Sequence, residues 1–105
     1  MKHLKIETED GAVIEYRYKE VEQLKRLLPR SLRIKIGSDV LFGNYVLIRE
    51  NVKIGDGCII GDDVEICGDV KIGNNVQIGA WCTIMDGVRI KDNAYLSPAT
   101  EVTGE

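Results

Sequence analysis

Several side chains in this 105-residue chain are of types that do chemistry. The stretch Lys53–Asn74, KIGDGCIIGDDVEICGDVKIGN, is dense in Gly and Asp, the ingredients of phosphate loops and calcium repeats. Three cysteines (Cys58, Cys67, Cys82), three serines (Ser31, Ser38, Ser97) and one histidine (His3) add nucleophiles and a base. Spacing argues against each chemistry in turn. IGDG lacks the Lys-Ser/Thr ending and following helix of a phosphate loop. Calcium repeats follow a nine-residue rhythm that is not seen here. The cysteines are odd in number and form no CxxC pair, which disfavours both a disulfide framework and a zinc site. The serines have no histidine partner in the repeats, since the one histidine is His3. Asp56, Asp62, Asp63, Asp69, Asp86 and Asp92 recur where a six-residue period places its corners. No catalytic or metal-ligating residue is therefore assigned.

The elements that position these residues follow from periodicity. The composition is globular, 44% hydrophobic and 30% charged, with a net charge of −3 that gives no pull towards nucleic acid or an acidic membrane. No apolar run approaches the roughly 20 residues of a membrane span, and MKHLKIETED lacks the apolar middle of a signal peptide, so a cytoplasmic protein is expected. Residues 1–33 do not repeat. HLKIETEDGAVIEYRY reads as two strands joined at Glu9-Asp10-Gly11. KEVEQLKRLLP switches to helical spacing, with Val21, Leu24 and Leu28 on one stripe and Leu27 beside it. Acids in its first turn, bases near its last and Pro29 after it suit a short helix. This segment is expected to cap the repeats and to bury Leu24, Leu27 and Leu28.

From Ile34 the order is strict. Twelve triplets begin six residues apart, from Ile34-Lys35-Ile36 to Thr100-Glu101-Val102, without insertion. Alternate residues of a strand point to opposite faces, so the mostly aliphatic first and third residues share one side. The intervening corners are rich in Gly, Asn and Asp, which tolerate the left-handed backbone of a sharp bend. One triplet cannot bury its apolar face, whereas stacked coils give a continuous core. Cys58 and Cys82 stand where neighbouring repeats have Val and read as small core residues. Cys67 replaces a Gly and reads as exposed. Residues 34–105 thus form the repeat domain, and its pattern runs to Val102 with no cap beyond it. Such an open end must be covered, either by another copy or by what a longer relative carries there.

IGDGCI, IGDDVE, IGNNVQ and IGAWCT match as they stand the hexapeptide-repeat superfamily, which this chain resembles over residues 34–102. The resemblance implies an all-β fold: a left-handed parallel β-helix of about four triangular coils, 18 residues each, typically assembled as a homotrimer. With three sides accepted, residues 18 apart stack at about 4.8 Å, and the outward middle residues form three columns. Lys35, Lys53, Lys71 and Arg89 form a basic column. Adjacent like charges at that spacing repel by about 1 kcal/mol in water. Corner acids (Asp39, Asp56, Asp92, Glu50, Asp69, Asp86) would compensate a solvated face; the alternatives are an acidic partner surface or an anionic ligand. Nucleic acid is not expected, because the acids interrupt the track and no aromatic is interleaved for stacking.

The second column is Leu41, Ile59, Gln77 and Tyr95, and the third is Leu47, Glu65, Thr83 and Glu101. Beside the second, Tyr45 and Trp81 stand at a corner where others carry Gly, Asn or Asp. Leu41, Tyr45, Leu47, Ile59, Trp81 and Tyr95 together read as an oligomer interface. Cover by the hairpin or helix, and a ligand groove, are the other readings. Acyltransferases of the superfamily use a histidine base near a subunit boundary and an extruded pocket loop. Here His3 lies outside the repeats and no loop breaks the register. Three histidines would be needed for the superfamily's zinc carbonic anhydrases. The expected function is a non-catalytic oligomeric scaffold without cofactor. The alternative is an acyltransferase-like protein that binds acyl-CoA between subunits without the usual histidine base.

Overall fold

The computed structural model describes residues 1–103. Strands β1 (Lys2–Glu7) and β2 (Val13–Tyr18) form an antiparallel hairpin with Lys2 opposite Tyr18 and Glu7 opposite Val13. Its turn falls at Glu9-Asp10-Gly11: the Thr8 N–H donates to the Ala12 carbonyl at 2.9 Å, and Gly11 takes φ +89°. Helix α1 (Val21–Leu27) and a 3-10 turn over Arg30–Leu32 follow.

Twelve short strands then coincide with the twelve triplets. They are β3 (Lys35–Ile36), β4 (Leu41–Phe42), β5 (Val46–Ile48), β6 (Lys53–Ile54), β7 (Ile59–Ile60) and β8 (Glu65–Ile66). After them come β9 (Lys71–Ile72), β10 (Gln77–Ile78), β11 (Thr83–Ile84), β12 (Arg89–Ile90), β13 (Tyr95–Leu96) and β14 (Glu101–Val102). Each pairs in parallel with the strand three places on, which gives three sheets: β12-β9-β6-β3, β13-β10-β7-β4 and β14-β11-β8-β5. The chain is therefore a β-solenoid of about four coils. No helix among the described residues is long and apolar enough to cross a membrane.

The hairpin joins the third sheet. β1 runs parallel to β5 with Leu4 opposite Val46 and Ile6 opposite Ile48, and so fills the place of a preceding coil. The other two sheets start at β3 and β4, where lysines meet the edge carbonyls. Lys25 Nζ donates to the Gly37 carbonyl at 3.2 Å, and Lys2 Nζ to that of Phe42. Lysine is a common means of closing a strand edge.

Alternation supplies the core. From Val40 to Ile90 every first and third triplet residue is 9% exposed or less. The thiols of Cys58 and Cys82 are inside, each donating to a carbonyl of the next coil (Gly73 and Ser97) at 3.1 Å. Two expectations fail. Cys67 is buried at 4%, because Arg49 and Met85 hold the same place in the coils before and after and close over it; burial pushes its thiol pKa up. Leu27 is 50% exposed and Leu28 only half-buried, since α1 packs through a narrow stripe centred on Leu24.

The corner glycines also have a different reason from the one expected. Left-handed backbone occurs once per corner, at every sixth residue from Arg33 to Ala99, with φ between 55° and 74°. Only two of these twelve residues, Gly57 and Gly87, are glycine. Glycines such as Gly61, which directly follow a triplet, have ordinary φ. They are needed because the next coil passes against them: a Cβ on Gly61 would lie 2.7 Å from the Ala80 nitrogen.

Gly61→Ala is accordingly expected to cost on the order of 3 kcal/mol, the upper end for overpacking. Gly87→Ala meets open space and should cost only about 1 kcal/mol of left-handed strain. Urea denaturation of the two variants checks this order. Tyr18 gives a second expectation. Its hydroxyl is buried without a hydrogen-bond partner, and desolvation raises its pKa from 10.0 to about 12. The unfolded chain loses that proton near pH 10 and the folded chain only near pH 12, so folding stability falls as pH rises through this window. Tyr18→Phe should remove that fall and stabilise the protein at pH 7 by about 1 kcal/mol, since an unsatisfied buried hydroxyl is lost. Denaturation curves across the alkaline range test both effects.

Candidate functional site: an apolar corner and a basic face

The middle residue of each triplet points outward, so the three sheets present three different faces. On the first, Lys35, Lys53, Lys71 and Arg89 pair in register along β3, β6, β9 and β12, all exposed. Among the described residues none of the four is in an ion pair. The corner acids nearby are engaged in coil-to-coil bonds. Asp56 Oδ1 accepts the Ser38 N–H at 2.8 Å, and Asp92 Oδ1 the Asn74 N–H at 2.8 Å. Asp86 takes the Gly68 N–H at 3.0 Å, and Asp69 the Asn51 amide at 2.7 Å.

The second face carries Leu41, Ile59, Gln77 and Tyr95 in register along β4, β7, β10 and β13. Leu41, Ile59 and Tyr95 are exposed, and neither hairpin nor helix covers them. This face turns into the third at a corner whose left-handed residues are Tyr45, Asp63, Trp81 and Ala99. In the early coils the corner is ordinary: Asp62 Oδ1 accepts the Asn44 N–H at 2.7 Å. In the later coils Ala80 and Pro98 replace those residues, and the side-chain ladder stops. What remains is a surface of Trp81, Pro98, Ala99 and Tyr95, all exposed. Leu47 is half-buried on the third face, between Lys5 and Glu65.

Two aromatics pay for this place with backbone strain. A bulky residue at positive φ is an outlier that costs about 1 kcal/mol or more. Tyr45 (φ 62°, 54% exposed) has an internal partner. Its ring stacks on His3 with centroids 5.3 Å apart, and its N–H donates to the His3 carbonyl at 2.9 Å. His3 Nδ1 lies 2.8 Å from Glu15 Oε2, a hydrogen bond that holds the Glu15 carboxyl below its usual range. Trp81 (φ 67°, 67% exposed) has its N–H bonded to the Asp62 carbonyl at 2.9 Å, and no aromatic ring among the described residues stacks on its indole. Sequence reasoning singled out Trp81 and Tyr45 but passed over Ala80 and Pro98. The loss of hydrogen-bonding side chains in GAWC and SPAT is the signal that marks them. His3, set aside as outside the repeats, stands beside the apolar corner.

A solenoid of six-residue steps with glycine-and-Asx corners is a hexapeptide-repeat protein. The particular kind is shown by the GMPPB C-terminal domain family, whose model matches residues 33–100, about two-thirds of the chain. The chain belongs to that family, a hexapeptide-repeat-like β-helix domain. No curated protein matches it.

If Trp81 is held in left-handed backbone only for the sake of its surface, a residue suited to that backbone should stabilise the single chain. Trp81→Asn is expected to raise stability by about 1 kcal/mol. Urea denaturation at concentrations low enough for isolated chains measures it.

Proposed function

We propose that this chain is a non-catalytic assembly module. Copies of it associate through the corner of Tyr45 and Trp81 and the adjoining face of Leu41, Ile59 and Tyr95, with Leu47 at the margin. The observation that carries the reading is Trp81. An indole two-thirds exposed, on a backbone conformation that disfavours it, is hard to account for in a free monomer. Exposed apolar patches anchored by Trp and Tyr are where subunits meet. The hexapeptide-repeat resemblance favours a homotrimer of left-handed, triangular coils; a cytoplasmic location and the lack of a cofactor are parts of the same proposal.

A second reading is supported by one observation. The His3–Glu15 pair packs against Tyr45 at the edge of the proposed interface, where an acyl-CoA bound between subunits would have a base within reach. This differs from the acyltransferase-like alternative expected from the sequence, which has no histidine base, in that the hairpin's His3 would supply one.

One experiment addresses both: native mass and melting temperature, with and without acyl-CoA. Wild-type chain should run as an oligomer, and Trp81→Glu or Ile59→Glu should reduce it to monomer while each stays folded. An unchanged mass in folded variants would refute the interface. A rise in melting temperature with millimolar acyl-CoA would favour the second reading, and its absence would count against it.

A further inference from the structure

A cleft of about 550 Å³ opens at the N-terminal end of the basic face, lined by Arg30, Arg33, Ile34, Lys35, Asn51 and Lys53. Four of its six lining residues are cations and none is an acid. Sequence supports the bias, since Lys25 to Gly37 holds five cations and no carboxylate. Lys35 and Lys53 are register partners on β3 and β6, which sets their Cα atoms about one strand spacing apart. Arg30 and Arg33 come from the 3-10 turn that leads into the first coil. No ion pair among the described residues includes any of the four. Asn51, the neutral member of the lining, donates its amide to Asp69 Oδ1 at 2.7 Å, so that carboxylate is already engaged.

Arg33 adds an independent observation. It occupies the first left-handed corner position (φ 55°), where six of the other eleven corners carry Asn or Asp and two carry Gly. Its N–H donates to the Arg30 carbonyl at 3.0 Å, which ties the two arginines into one turn. A long cationic side chain stands at a strained position, and such strain clusters at functional sites.

We infer that this cleft binds a small phosphate-bearing anion of at least two negative charges. Arginine forks match phosphoryl oxygens in bidentate fashion, and lysines add point charges without geometric demand. Four like charges within one cleft repel one another, and a dianion or diphosphate relieves that repulsion while chloride does so poorly. The absence of an aromatic from the lining makes the phosphoryl group itself the recognised element. Lys71 and Arg89, further along the same column, lie outside the cleft and only extend its field.

The test is calorimetric titration of the whole chain with inorganic pyrophosphate and with phosphate, at ionic strength held constant with chloride. Saturable binding of one anion per cleft is expected, tighter for pyrophosphate. Arg30→Gln with Arg33→Asn should weaken it at least tenfold, and Arg33→Asn is compatible with the left-handed corner, so the variant should fold. Lys71→Gln with Arg89→Gln should weaken it less than threefold. Two outcomes would overturn the assignment: no binding beyond the chloride control, or equal loss in both double variants. Because the cleft is on a different face from Trp81, native mass is expected to stay unchanged in both double variants.

Discussion

Everything in this structure depends on the close passage of one coil over the next at its corners. Strand pairing sets the separation, and the corners must then satisfy two demands. One residue must take left-handed backbone, so that its N–H can reach a carbonyl of the preceding turn, as Gly57 reaches Ser38 and Asn75 reaches Asp56. Another, on two of the three corners, must do without a Cβ because backbone lies where that atom would be. The six-residue step follows from these demands, and so does its intolerance of insertions. The acids follow as well. Asp56, Asp62, Asp86 and Asp92 each receive an N–H from the coil before, so carboxylates that look available for catalysis are structural acceptors.

The repeat and its hairpin cap were legible in the sequence because both rest on period and turn chemistry. Every triplet became a strand, and Glu9-Asp10-Gly11 became the turn. What misled was reasoning from one residue type to one cause. By residue type Gly61 reads as a bend, but its role is to leave room for Ala80. Standing in for a glycine suggests that Cys67 is exposed, but on that corner it is buried between the half-buried Arg49 and Met85 of the coils before and after. Of the candidate surfaces, the basic and apolar columns could be read from spacing alone. The contributions of Arg30, Arg33 and His3 could not, since they depend on how a non-repeating segment folds back onto the first coil.

Strain separates the surfaces that matter from those that merely exist. Of the twelve left-handed positions, four carry residues with no preference for that conformation: Arg33, Tyr45, Trp81 and Ala99. Three of these are at the apolar corner and one is in the basic cleft. The other eight positions carry Gly, Asn or Asp, the residues that suit this backbone. The exceptions cluster on the two surfaces that exposure and charge mark independently.

The way β1 occupies the place of a missing coil has a consequence for how the chain finds its register. Neighbouring coils are so alike that a strand could pair one coil out of step, with most core contacts preserved and only the ends mismatched. Leu4 and Ile6 fit against Val46 and Ile48, while Lys2 and Lys25 meet carbonyls of the first coil alone. The hairpin and helix therefore distinguish the first coil from its near-copies and remove the degeneracy that repetition creates. Folding then has a defined origin, from which each later coil is added in a single alignment.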